Sequence, residues 1–164
     1  MTEASDDRAI AADLAVIGFG KGAKTLAATL GRQGGRRVVM IEQFAQMYGG
    51  TCINIGCVPT KSLVYQAEQL SERSPAAYRR AVETELALTA KLRADNFAML
   101  DGIESVSVLT GRAEFVDPHT VQVTLVDGGG TVVVSAEHLV VSTGVATPRI
   151  PRRAWADGQR RDGH

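Results

Sequence analysis

A glycine-rich turn between an apolar run and a helical pattern constrains the fold more than any other feature of the sequence. The apolar run Leu14 to Ile17 predicts a strand, and residues 18–23, Gly-Phe-Gly-Lys-Gly-Ala, then open a stretch of helical spacing. Gly34-Gly35 ends that helix, and residues 38–41 predict a second buried strand. This order predicts a βαβ unit with parallel strands and a right-handed crossover.

The turn matches the G-x-G-x-x-G/A pattern of dinucleotide-binding units in the required context of strand and helix. Gly18 permits the tight turn, Gly20 lets backbone N–H groups approach a pyrophosphate, and Ala23 keeps the helix close to the strand. Glu42, at the end of the second strand, can accept hydrogen bonds from a ribose hydroxyl, and its charge disfavours a 2′-phosphate. The alternative is that the glycines merely serve a turn and Glu42 is a solvated acid.

The rest of the pattern predicts two helices followed by a small antiparallel meander. Helical spacing runs from Thr51 to about Ser74, and after the break at Pro75 it resumes from Ala76 to Leu100. Short alternating runs then predict strands over Ser105 to Leu109, Ala113 to Val116, Thr120 to Val126 and Thr131 to Val134. The apolar run Leu139 to Ser142 is suited to rejoin the parallel sheet.

Length and composition predict one soluble domain. A chain of 164 residues, 45% of them hydrophobic, can bury a single core, and we expect a Rossmann-like α/β domain over residues 13–148. Residues 1–12 and the Arg-rich residues 149–164 are expected to be disordered. Eighteen basic residues balance eighteen acidic ones, which disfavours nucleic-acid and membrane partners. No signal peptide or membrane span is evident, and a cytoplasmic location is expected.

Two cysteines, Cys52 and Cys57, lie five positions apart. A disulfide across so short a loop would constrain the unfolded chain little, which argues against a purely structural disulfide. The three histidines lack the spacing of zinc ligands, so no metal site is expected. In a regular helix the two Cα atoms would be about 8.5 Å apart, beyond the ~7 Å limit for a disulfide. A bridge therefore needs a distorted first turn, which Gly56 and Pro59 permit.

A redox role and a packing role both remain open for this pair. A strained disulfide is easier to reduce, and a thiolate at a helix N-terminus is stabilised by the helix dipole, so both redox states would be accessible. The alternative is that the cysteines are small hydrophobic residues of the core.

The segment from Gly50 to Lys61 resembles the G-[GT]-T-C-x-x-x-x-C-[VI]-P-[ST]-K signature of the class I pyridine nucleotide-disulfide oxidoreductases. Residues 18–21, 41–43 and 47–50 look closest to the branch that contains mercuric reductases and reactive chlorine resistance flavoproteins. The resemblance covers about Asp13 to Pro151. It implies a Rossmann-like FAD-binding domain with a truncated sheet and an added β-meander.

The resemblance also implies residue roles. Cys52 would be the interchange thiol that meets substrate, Cys57 the charge-transfer thiol beside the flavin ring, and Lys61 a neighbour of flavin N5. Gly18, Gly20, Ala23 and Glu42 would hold the ADP half of FAD. The remaining implied contacts are Gly50 and Thr51 on the pyrophosphate and flavin path, Gly111 and Ala113 at adenine, and Thr143 and Gly144 in a segment that reads A-T-G in the family.

The function implied is that of a FAD-dependent, NAD(P)H-linked disulfide oxidoreductase, of which this chain holds the flavin and redox-disulfide half. NAD(P)H would be the electron donor and the family is homodimeric, but the nicotinamide domain, the later Gly-Asp segment and the dimerisation domain with its His and Glu are not found in the sequence. The electron acceptor is not indicated.

Two other interpretations stay open. Composition changes at Pro151, which suggests that Arg152 to His164 arose by a frameshift or premature stop, although a natural tail is the alternative. The chain would then be a non-catalytic FAD- or dinucleotide-binding fragment. A small NAD-binding Rossmann domain, with an accidental cysteine pair, is the third interpretation.

Overall fold

Five strands and four helices make up the part of the chain that the computed structural model describes, residues 8–69 and 74–145. The strands are β1 (Arg8–Ile17), β2 (Val38–Glu42), β3 (Val106–Asp117), β4 (Thr120–Leu125) and β5 (Thr131–Val141). The helices are α1 (Lys21–Gln33), α2 (Gly50–Asn54), α3 (Cys57–Gln69) and α4 (Pro75–Asp101), with a 3₁₀ turn at Ala45–Met47.

The predicted βαβ unit is present. Strand β1 pairs in parallel with β2 over residues 14–17 and 38–41, and α1 forms the crossover between them. Strand β3 adds in parallel to β2, and β5 adds in parallel to the other side of β1. The residues of β2 and the end of β1 form continuous apolar runs because a parallel sheet is covered on both faces. The mixed α/β fold class is therefore confirmed.

The parallel sheet and the meander share two long strands. Strand β3 pairs with β2 over residues 106–110 and with β4 over residues 111–117, while β5 pairs antiparallel with β4 and parallel with β1. The ring of strands consequently closes in the order β1-β2-β3-β4-β5. The sequence pattern predicted two separate runs for each long strand. It was wrong for a different reason in each strand. In β3, Gly111 lies where the pairing partner changes from β2 to β4, whereas β5 stays paired with β1 on both sides of the polar residues that interrupt its apolar pattern.

Hydrophobic cores lie on both faces of the parallel sheet. One face packs against α1 and α4, and its largest fully buried side chains include Phe19, Met40 and Leu100. The other face packs against the meander, where Val121, Val123 and Val134 are fully buried. The sheet is thus held between helices and a second β layer, which is the layered arrangement expected of such domains.

The helices between β2 and β3 differ from the prediction at one place. The helix predicted from Thr51 to about Ser74 is divided into α2 and α3, whereas the predicted helix from Ala76 to Leu100 is present as α4. Helix α4 begins where the sequence favours a start, because Ser74 accepts a hydrogen bond from Ala77 N at 3.2 Å and Pro75 occupies the first turn.

The N-terminal boundary also differs from the prediction. Strand β1 begins at Arg8, so residues 8–12, expected to be disordered, pair with β5 instead. The expectation for residues 1–7 and for the tail 149–164 lies outside the described residues. Within those residues, none of the helices is both long and apolar enough to cross a membrane.

Candidate functional site

A cleft of about 650 Å³ opens where β1, β2 and β5 end and α1 and α2 begin. Its size falls in the range of cofactor and ligand sites, and the carboxyl ends of parallel strands are where such sites form in α/β folds. The predicted site residues that line this cleft are Gly18, Gly20, Glu42, Gly50, Thr51, Cys52, Gly111, Ala113, Thr143 and Gly144. The structure therefore brings together segments that are far apart in sequence.

Three predicted site residues lie outside the cleft lining. Ala23 is buried in the core, in keeping with its predicted packing role between helix and strand. Cys57 and Lys61 are exposed in the first turns of α3, close to the Cys52 end of the cleft. Their predicted flavin contacts consequently remain predictions.

The glycine turn is wedged between two strand ends. Gly18 has φ of 104°, and its N–H donates to the carbonyl of Ile41 at 2.8 Å. A Cβ atom at this position would lie 2.3 Å from the carbonyl oxygen of Ser142. Only glycine satisfies both the backbone conformation and this close approach. The turn then leads into α1, whose N-cap residue Gly20 supplies no side-chain cap, so the first N–H groups of the helix are free of side-chain acceptors.

A second glycine segment contacts the first. Gly50 has φ of 73°, and a Cβ atom there would lie 2.7 Å from the Cα atom of Gly20. Helix α2 starts at Gly50, so this contact places the N-terminus of α2 against the turn. Cys52 belongs to the same first turn of α2. The glycine turn and Cys52 thus line the same cleft, and no helix or strand separates them there.

The carboxylate of Glu42 is held by two backbone groups. Its Oε2 accepts a hydrogen bond from Phe19 N at 2.9 Å, and its Oε1 accepts one from Phe44 N at 3.3 Å. Each carboxylate oxygen can accept more than one hydrogen bond, so the group can still accept one from a hydroxyl of a ligand in the cleft. The predicted ribose acceptor is therefore oriented by the glycine turn itself.

The cysteine segment has the distortion that the spacing requires. Helix α2 ends at Asn54 and α3 begins at Cys57, and the N–H groups of Ile55 and Gly56 both donate to the carbonyl of Thr51 at 2.9 Å. The break brings the two side chains close enough for Cys57 to influence the ionisation of Cys52, and both residues are free thiols. An unbroken helix would keep them apart.

A hydrogen bond with Cys57 raises the pKa of the Cys52 thiol, and partial burial and the charge of Cys57 act in the same direction. The charges of Lys21 and Lys61 oppose this shift. The expectation that the helix N-terminus favours the thiolate therefore does not describe Cys52, because its neighbour outweighs the positive charges around it.

This neighbour effect predicts the pH dependence of thiol alkylation. Replacing Cys57 with alanine removes the cause of the raised pKa, so the Cys52 thiolate should form at lower pH and react faster with iodoacetamide at neutral pH. The measurement is the alkylation rate of Cys52 as a function of pH, by mass spectrometry, with the reduced parent chain as reference. An equal or higher midpoint in the variant would contradict the assignment.

Aromatic residues that the sequence analysis did not single out support the turn from behind. The ring of Phe19, 1% exposed, lies 5.0 Å from that of Tyr48, which lies 4.9 Å from that of Phe97. The hydroxyl of Tyr48 is hydrogen-bonded to Thr110 Oγ1 on β3. The only sequence signal was the position of Phe19 between two glycines of the turn.

Lys24 is a second residue that sequence reasoning missed. Its ammonium donates a hydrogen bond to Asn96 Oδ1 on α4. Burial lowers the pKa of Lys24, the charge of Lys21 lowers it further, and Cys52 acts in the opposite direction. Helix α1 therefore presents a partly desolvated cation near the cysteine end of the cleft, which helical periodicity could not reveal.

Fold and site together define a class. The family model described as "Pyridine nucleotide-disulphide oxidoreductase" matches residues 12–161, and the chain belongs to this family.

Individual relatives agree with that class. The chain is 41% identical over 138 residues to "Probable pyridine nucleotide-disulfide oxidoreductase RclA" of Escherichia coli (strain K12), covering 83% of this chain and 30% of the relative. It is 38% identical over 149 residues to a mercuric reductase of Streptomyces lividans, covering 82% and 30%. The solved structure of the Cu(II) complex of HOCl-induced flavoprotein disulfide reductase RclA from Escherichia coli matches with a TM-score of 0.76 at 39% identity, covering 87% and 31%. The chain thus spans about 30% of the length of the curated relatives it matches.

Proposed function

We propose that this chain carries the flavin-binding and redox-disulfide part of a FAD-dependent, NAD(P)H-linked disulfide oxidoreductase. The observation that supports it most directly is the single cleft that Gly18, Glu42 and Cys52 share, since nucleotide-binding and thiol chemistry then meet in one place. Disulfide reduction is also what the similar Escherichia coli flavoprotein is described as performing.

The residues of the cleft fit a dinucleotide. Gly18 permits the tight turn beside Ser142, Gly20 would let a pyrophosphate approach the uncapped start of α1, and Glu42 would accept hydrogen bonds from the ribose hydroxyls. The proposed contacts on the pyrophosphate and flavin path are Gly50 and Thr51, with Gly111 and Ala113 at adenine and with Thr143 and Gly144, the A-T-G segment of the family, also in the cleft lining. Lys61, outside the lining, is proposed to lie near flavin N5. Bound FAD would supply two-electron redox chemistry between a reduced nicotinamide and a disulfide.

The cysteines would carry electrons to the acceptor by thiol–disulfide exchange. Reduction of a Cys52–Cys57 disulfide takes up two electrons and two protons and gives the dithiol. The Cys52 thiolate then attacks a substrate disulfide and releases one substrate thiol, and Cys57 attacks the mixed disulfide, releases the second thiol and restores the Cys52–Cys57 bond. The positive charges of Lys21 and Lys61 favour the attacking thiolate, although the neighbouring Cys57 outweighs them and keeps the pKa of Cys52 raised.

Flavin spectroscopy of the full 164-residue chain tests this proposal. The chain is mixed with FAD, passed through gel filtration and titrated with NADH, NADPH or dithiothreitol. Retained flavin absorbance, with a long-wavelength band after reduction, supports a flavin beside a thiolate. Flavin that is retained but unresponsive to every reductant would favour the non-catalytic binding module, and binding of NAD⁺ in preference to FAD would favour the small Rossmann domain.

Exchange of Glu42 for glutamine should weaken FAD binding about tenfold, the loss expected from one hydrogen bond to a charged group. A glutamine amide can accept from Phe19 N or from Phe44 N but not from both, so the ribose acceptor also loses its orientation. The dissociation constant is measured by quenching of FAD fluorescence. Glu83→Gln, an exposed acid on α4, is the matched control, and equal affinity in Glu42→Gln and the control would contradict the ribose assignment.

A further inference from the structure

Asn54 lies between the two cysteines and forms three side-chain hydrogen bonds. Its Nδ2 donates to the carbonyl of Tyr48 at 3.0 Å and to the carbonyl of Gly50 at 2.9 Å. Its Oδ1 accepts from Arg93 Nε at 3.0 Å. Both functional atoms of this amide are therefore engaged, and all three partners lie outside the two-residue break that separates α2 from α3.

The bond from Arg93 comes from a different helix. Arg93 belongs to α4 and is 39 residues from Asn54 in sequence, and both residues are partly buried. One turn further along α4, Asn96 accepts the hydrogen bond from Lys24 of α1. One face of α4 is therefore hydrogen-bonded to both α1 and α2, the two helices whose N-termini line the cleft.

The side chain of Asn54 fixes the cysteine segment to α4. Cys52 precedes it by two residues and the break at Ile55 follows it directly. Among the residues described between 50 and 57, it alone has a side-chain hydrogen bond to another helix. The backbone bonds around the break all return to Thr51 or Gly56, so they shape the loop without fixing it to α4.

Arg93 acts on the segment through Asn54. The lysines that influence the ionisation of Cys52 are Lys21 and Lys61, and Arg93 is absent from the groups that shift it. The guanidinium instead orients an amide whose other end holds the first turn of α2. Its effect on the thiols is thus one of position.

We propose that Asn54 and Arg93 are positioning residues for the redox pair, holding the break between α2 and α3 so that the sulfur atoms of Cys52 and Cys57 stay within bonding reach. This inference rests on the proposed redox role of the two cysteines. It adds to the site two residues that do not react themselves but position the two cysteines that do.

The chemistry that depends on this positioning is closure of the disulfide. With glutathione disulfide as oxidant, one cysteine thiolate attacks it and releases glutathione, and the second cysteine attacks the mixed disulfide and releases another glutathione. The protein pair loses two electrons and two protons in forming its S–S bond, and the oxidant gains them. The equilibrium constant measures the effective concentration of one thiol at the other, which falls when the segment is free to move.

The test measures this equilibrium in the full chain. Parent chain, Asn54→Ala and Arg93→Met are equilibrated with glutathione buffers of graded ratio, quenched in acid and analysed by mass. The constant for disulfide formation should fall about tenfold in both variants, the effect of losing a hydrogen bond to a charged group. Arg79→Met, an exposed arginine at the far end of α4, is the matched control and should leave it unchanged.

The outcomes separate the two proposals. A parent chain that forms no disulfide at any ratio overturns the proposed redox function. A parent disulfide whose constant is unchanged in both variants, even with lowered melting temperatures, shows a merely structural role and overturns this inference alone. Arg93→Met keeps the aliphatic stem, so it remains informative should Asn54→Ala fail to fold.

Discussion

Replacement of Gly18 with alanine should abolish FAD binding and lower the free energy of unfolding by about 3 kcal/mol or more. The φ of 104° disfavours any residue with a Cβ atom, and that atom would lie 2.3 Å from the carbonyl oxygen of Ser142. Relief of the clash requires the turn to move away from the end of β5. Because Glu42 is hydrogen-bonded to the next residue, Phe19, the same movement would displace the proposed ribose acceptor.

Gly22→Ala is the matched control, since it changes a nearby glycine that occupies a variable position of the motif. Gly22 lies in α1 and does not have a positive φ, and a Cβ atom added there would meet no other atom within 4 Å. Alanine there should leave FAD binding intact and stabilise the helix by about 0.5–1 kcal/mol. Urea unfolding and FAD fluorescence measure both effects. Similar behaviour of the two variants would show that the Gly18 contact with Ser142 does not govern the turn.

Serine at Cys57 should eliminate the intramolecular disulfide completely. In a buffer of oxidised glutathione the remaining Cys52 would accumulate as a stable mixed disulfide with glutathione, because no second thiol lies within reach to release it. The parent chain should instead show an internal disulfide and little bound glutathione. Intact mass measurement distinguishes the two products, and abundant glutathione adduct on the parent chain would contradict the pairing.

Flavin affinity provides the control for that substitution. Cys57 is exposed and does not line the cleft, so Cys57→Ser should retain FAD as the parent chain does while losing any long-wavelength band on reduction. A Cys52→Ser variant keeps Cys57 available and separates the roles of the two sulfurs. If the band persists without Cys57, the proposed neighbour of the flavin is the wrong cysteine.

The sequence predicted the parts of this protein that depend on local chemistry. The strand, turn and helix around Gly18 were predictable because the glycine spacing and the apolar periodicity are both short-range. The need for a break between Cys52 and Cys57 followed from helix geometry alone, and α2 and α3 are divided there. The start of α4 was predicted within one residue, at Ala76, because Pro75 marks a break in the helical pattern.

Other features depend on contacts between distant segments and left no local signal. The continuity of β3 through Gly111 was missed because a glycine interrupts the alternation of apolar and polar residues. The strand nevertheless requires glycine there, since a Cβ atom at position 111 would lie 2.5 Å from Thr124 O. The hydrogen bond between Asn54 and Arg93 joins residues 39 apart. The raised pKa of Cys52 depends on where Cys57 lies after the break, which periodicity does not specify.

Gly111 marks the residue at which β3 exchanges β2 for β4 as its partner, and the cleft reaches the meander at this position. The opposite end of the β3–β4 pair, the turn from Asp117 to Thr120, is six residues further along the strand. A substitution in that turn should therefore leave the proposed adenine contact unchanged, whereas a substitution at position 111 should alter that contact and the closure of the sheet together. One hairpin thus contains an end remote from the cleft and an end that lines it, and the boundary between them lies where β3 changes its pairing partner.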